Sequence, residues 1–123
     1  MKREFWGGAC LSLVLAAGPA LAGVVEIVEA VAYADPGGKW RFDVTLKHGD
    51  TGWEHYADQW DVLAPDGSVL GTRVLYHPHV NEQPFTRSLG GVAVPEGLDE
   101  VTIRAHDKVH GWADKTYRVE LPR

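Results

Sequence analysis

Between Trp40 and Leu46 the chain alternates without a fault, with Trp40, Phe42, Val44 and Leu46 on one side and Arg41, Asp43 and Thr45 on the other. A period of two puts each set on its own face of an extended strand, so this segment reads as a half-buried strand. Turn chemistry precedes it at Asp35-Pro36-Gly37-Gly38. The same grammar recurs along the chain. Strands are expected over 24–33, 40–46, 55–63, 69–76, 85–89, 101–106 and 117–121. Ala64-Pro65-Asp66-Gly67 makes a tight hairpin, Asn81-Glu82-Gln83-Pro84 a break, and Gly90-Gly91 and Pro95-Glu96-Gly97 punctuate a longer connection. About seven short antiparallel strands without a convincing helix predict an all-β, immunoglobulin-like β-sandwich, with Trp60 as its core tryptophan.

The first 22 residues read as a signal peptide. Lys2 and Arg3 form a basic start, Leu11 to Ala17 a short apolar core, and Ala20-Leu21-Ala22 a small-x-small cleavage site. Residues 23–123 then form a single domain in the periplasm or outside the cell, without a membrane anchor. Cys10 precedes the apolar core instead of following it, so export without lipidation is expected. Cleavage removes Lys2, Arg3 and Glu4 and takes the net charge from −5 to −6. An acidic domain without a basic stripe is a poor partner for nucleic acid. Cleavage also removes the single cysteine and the single methionine. No disulfide, thiolate or thioether is left, so a metal must be held by nitrogen and oxygen.

Six histidines fall at predicted strand ends: His48, His55, His77, His79, His106 and His110. With alternating strand direction, the segments 48–55, 77–84 and 106–114 gather at one end of the sandwich. Asp50, Glu54, Glu82, Asp107, Trp53, Tyr56 and Trp112 join them there. Neutral imidazole is the commonest protein ligand for transition metals. His48 continues the inward phase of Trp40 to Leu46 and should point between the sheets. In His77-Pro78-His79 the proline favours an extended backbone, which puts both imidazoles on one face. His106, on the outward phase of its strand, ranks lowest.

The run His106-Asp107-Lys108-Val109-His110-Gly111-Trp112 resembles the closing motif of the desulfoferrodoxin/superoxide reductase family, and His55-Tyr56-Ala57-Asp58-Gln59-Trp60 resembles an earlier element of it. The resemblance implies an immunoglobulin-like fold and an iron site. His48, His55 and His110 would match ligating histidines, and Asp107 would stand in the place of a cysteine. A carboxylate does not push electron density onto iron as a thiolate does, so the resemblance does not carry superoxide reduction with it. The family's N-terminal ligand histidine has no counterpart; His77 or His79 would have to substitute. Separately, the stretch from Tyr76 to Arg87 resembles small exported bacterial proteins of uncharacterised activity.

The metal ligands expected are therefore His48, His55, His77, His79, His110 and Asp107, binding copper or zinc, or iron, for metal handling instead of catalysis. One alternative is a metal-free periplasmic module that docks a protein partner through Trp53, Tyr56 and Trp112. Another is a mononuclear metal oxidoreductase acting on reactive oxygen species. Ser68 and Ser88 lack a nucleophile-elbow context, and no glycine pair opens a helix that would cradle phosphate. Asp58 and Asp61 are expected on solvated strand faces.

Overall fold

The computed structural model describes residues 23–122. The expected signal peptide lies outside the described residues. Eight strands follow in order: β1 (Glu26–Asp35), β2 (Lys39–Lys47), β3 (Ala57–Leu63), β4 (Val69–Val74), β5 (Phe85–Ala93), β6 (Glu100–Asp107), β7 (Gly111–Trp112) and β8 (Tyr117–Glu120). One sheet has the order β1-β2-β5. The other runs β4-β3-β6, with β7 and β8 both paired to β6. Every pairing is antiparallel. The fold is the expected immunoglobulin-like sandwich, with the fourth strand paired to the third instead of the fifth.

The core lies between the sheets and follows from the alternation. On β2, Trp40, Phe42, Val44 and Leu46 are all buried, and on β6 so are Val101, Ile103 and Ala105. Trp60 and Val62 of β3 fill the centre with no exposed surface. Two features differ from the sequence reading for local reasons. Gly90-Gly91 do not end the fifth strand. Trp40 pairs with Val92 and Phe42 with Leu89, so the glycines form a bulge, with Gly91 at φ 68°, and the strand runs on to Ala93. The added strand, β7, arises because Gly111 at φ 78° turns the chain back along β6, pairing Trp112 with His106.

Asp61 corrects the expectation of a solvated face. It is 1% exposed, and its carboxylate accepts from Thr72 Oγ1 at 2.8 Å, Gln59 Nε2 at 3.1 Å and Arg104 Nε at 2.9 Å. The Arg104 guanidinium lies 3.8 Å from the centre of the Trp112 ring and closes over this ion pair. A paired, fully bonded charge is the form in which a carboxylate is tolerated under a surface. Asp58 keeps to the outer face, where His106 Nδ1 donates to it at 2.6 Å.

Replacing Trp60 by alanine should cost about 3–5 kcal/mol, a large part of the roughly 5–15 kcal/mol of a typical domain. Urea denaturation of the Trp60→Ala chain should show a midpoint lowered accordingly, or no folded baseline.

Candidate metal centre

Two inward-facing rows change character at one end of the sandwich. Beyond β2, His48 is the next residue in phase with Leu46, and on β6 Asp107 is the next after Ala105. Each sheet thus extends its apolar face by one polar residue, and both residues are buried. Buried polar groups require partners, and three loops supply them.

Asp50 organises the first loop. Its Oδ1 accepts from His48 Nδ1 at 2.5 Å and from the Ala57 backbone N–H at 3.1 Å, while Oδ2 accepts from the His79 N–H at 2.7 Å. A carboxylate at this position only accepts, so His48 carries a proton on Nδ1, and in the neutral ring its Nε2 is an acceptor that faces His55 Nε2 at 3.2 Å. The His48 N–H donates to Gln83 Oε1 at 2.9 Å, and Gln83 Nε2 donates to the His79 carbonyl at 2.9 Å. The loop closes on itself where Thr51 N–H donates to the His55 carbonyl and His55 N–H to that of Gly52. That closure returns the His55 ring to the His48 ring, with centroids 4.7 Å apart.

Asp107 closes the site from the opposite sheet. Its Oδ1 accepts from the backbone N–H groups of Val109 at 2.9 Å and His110 at 2.7 Å, and His110 Nδ1 donates to the same oxygen at 3.1 Å. Burial opposes ionisation of this carboxyl. The backbone N–H bonds of His110 and Val109, with the His110 side chain behind them, outweigh it and hold its pKa below the ordinary aspartate value. At neutral pH the group is therefore a carboxylate.

The donor atoms of His48, His55 and Asp107 all lie within 4.8 Å of one another. His48 Nε2 to His55 Nε2 is 3.2 Å, His55 Nε2 to Asp107 Oδ1 is 3.3 Å, and His48 Nε2 to Asp107 Oδ2 is 3.9 Å. Ligands about 2.0–2.1 Å from a tetrahedral ion stand about 3.3 Å apart; the two contacts of His55 Nε2 match that spacing, while His48 Nε2 stands 3.9 Å from the other oxygen of Asp107. The Asp50–His48 pair is the carboxylate–imidazole arrangement that orients a ligating histidine. Access is from the rim, where the His55 side chain is 18% and that of His110 40% exposed.

The other expected ligands sit elsewhere in the same end. His110 turns Nδ1 toward Asp107, its ring centroid 5.2 Å from that of His55, and so flanks the three-donor group. His77 and His79 are outside that group and pair with each other, centroids 4.6 Å apart. The His79 ring stacks on Phe85 at 4.0 Å, and Arg87 Nη2 donates to its Nε2 at 2.8 Å, which takes up the lone pair a metal would need. Desolvation, followed by the charge of Arg87, lowers the His79 pKa and keeps the ring neutral. His106 is tied to Asp58 on the outer face. Asp50, placed at this end by the strand count but not among the expected ligands, is the orienting residue. Its short sequence separation from His48 was the available signal. Of the three aromatic residues considered as protein anchors, Trp53 is 64% exposed, Tyr56 is buried, and Trp112 is 37% exposed with Arg104 over one face of its ring.

No family model and no solved structure matches the chain. A curated relative from Halomicrobium mukohataei, named "Putative lipoprotein", is 39% identical over 95 residues. The match covers 77% of this chain and 46% of the relative, so the chain spans about half the relative's length. Among the described residues no helix is long and apolar enough to cross a membrane.

Two outcomes follow from these contacts. Asp50→Asn turns one acceptor into a donor facing buried donors, and should cost about 1–3 kcal/mol in urea denaturation. His79 resists protonation only when folded, so its contribution to stability is complete above the ordinary histidine pKa of 6.5 and is lost as pH falls through the lowered one. The urea midpoint of the parent should therefore fall more steeply below pH 6.5 than that of His79→Phe.

Proposed function

We propose that this chain is an exported protein that binds a divalent transition metal through His48 Nε2, His55 Nε2 and the Asp107 carboxylate, and that it serves metal handling. The observation that carries the reading is the three-donor group itself. It is assembled from both sheets with its donors within 4.8 Å of one another, and one imidazole is held by a buried carboxylate. A ligand set of two imidazoles and one carboxylate, with no sulfur in residues 23–123, suits Zn(II) or Cu(II). Zinc is the better fit, because it takes four ligands in a tetrahedron and the group presents three with its fourth side toward the rim. Export is supported by the basic start, apolar core and small-x-small site of residues 2–22, and by the lipoprotein name of the relative.

A second reading, a mononuclear iron centre acting on reactive oxygen species, draws on the same three-donor group and its access from the rim. His110, bonded to Asp107 beside His55, stands near enough to take part in such a centre. A redox-active visible band on the iron-loaded chain, with turnover of superoxide, would favour it over metal handling.

The test is metal analysis of the chain purified after export. About one equivalent of metal per chain is expected, lost in the His48→Ala/His55→Ala variant and kept in His77→Ala/His79→Ala. Added Zn(II) at 100 times its Kd should stabilise the metal-free parent by about 2.7 kcal/mol, which reads as a rise of several degrees in Tm. A metal-free parent whose Tm ignores both Zn(II) and Cu(II) would overturn the reading.

A further inference from the structure

We propose that the fourth metal ligand is the α-amino group of Gly23, created by cleavage after Ala22, so that the site is completed only on the exported, processed chain. The proposal rests on the metal-binding reading above and adds to it when and where metal can be held. The Gly23 carbonyl oxygen lies 3.3 Å from His55 Nε2, on the same nitrogen that faces His48 and Asp107. A Cβ built on Gly23 would stand 2.7 Å from His110 Cε1 and 3.0 Å from His110 Nε2. The backbone at residue 23 therefore rests against the open side of the three-donor group. A side chain at residue 23 would displace the His110 ring from its place beside His55. Val25, two residues on, is 3% exposed in the core and tethers the segment there.

The chemistry depends on what residue 23 carries. Within an uncut chain its nitrogen is a peptide nitrogen, whose lone pair is delocalised into the preceding carbonyl and is a poor donor. After cleavage it is a primary amine, whose lone pair stays localised on nitrogen and can bind a metal ion. The nitrogen sits about 2.5 Å from the Cβ position, which places it within about 5.5 Å of His110 Nε2 on covalent geometry alone. Binding releases one proton: the ammonium loses it to solvent as the metal–nitrogen bond forms. Export and metal loading are thereby coupled, since the unprocessed chain lacks the amine.

The experiment compares two chains, one beginning at Gly23 and one retaining Ala20-Leu21-Ala22, titrated calorimetrically with Zn(II). Intact mass of the exported protein should first show that it begins at Gly23. The Gly23 chain should bind about 10- to 100-fold tighter than the extended one, with equal urea midpoints of the metal-free forms. The Gly23 α-amine nitrogen resonance should shift when Zn(II) is added. Equal affinities in both chains, with binding abolished by His48→Ala, would overturn the inference and leave the three-residue site standing. Failure of both chains to bind Zn(II) would overturn both. An exported chain beginning elsewhere would overturn the inference alone.

Discussion

A buried carboxylate cannot be left without donors, and the histidine-bearing end of this sandwich is arranged around that requirement at Asp50. Its two oxygens take donors from His48, from the first residue of β3 and from His79. Three segments distant in sequence are thereby held to one side chain. The cost of orphaning any of those donors, a few kcal/mol at most for each, is large beside the net stability of a small domain. Loops that would otherwise drift are fixed in register with the strands, and His48 is fixed in one tautomer. The site inherits its geometry from that bond.

The same end shows how a hydrophobic core becomes a polar site without a change of architecture. The inward rows of β2 and β6 run apolar for most of their length and finish in His48 and Asp107. Because the sheets face each other, two residues that terminate different rows meet between them. Side chains in such a position are shielded by the core on one side and reach solvent on the other. That asymmetry suits an ion that must be held firmly yet enter from outside. Asp107 adds a second constraint, since its turn, set by Gly111, brings the backbone donors that keep it ionised.

The remaining histidines show why counting them is not the same as finding ligands. His79 has the burial expected of a ligand, but its lone pair is used by Arg87 and its ring by Phe85. Its backbone N–H, not its imidazole, is what it gives to the site, through Asp50. His106 serves an ion pair on the outer face. The six gather at one end, yet their contacts divide them into candidate ligands, supports and surface groups.

Alternation and turn residues alone determined seven of the eight strands, the inward phase of His48 and the end at which the loops gather, because a period of two is a local property. The phase of Val101, Ile103 and Ala105 carried the burial of Asp107 in the same way. Sequence did not reveal that Gly90-Gly91 would be absorbed as a bulge, since two glycines serve equally well as a stop. Nor did it reveal that Asp61 would lie buried under Arg104, because that depends on a partner 43 residues away. The choice of His48, His55 and Asp107 over His77 and His79 was made by tertiary structure. Which nitrogen has a free lone pair, and which backbone leans on the open side, depends on contacts among loops that no local pattern encodes.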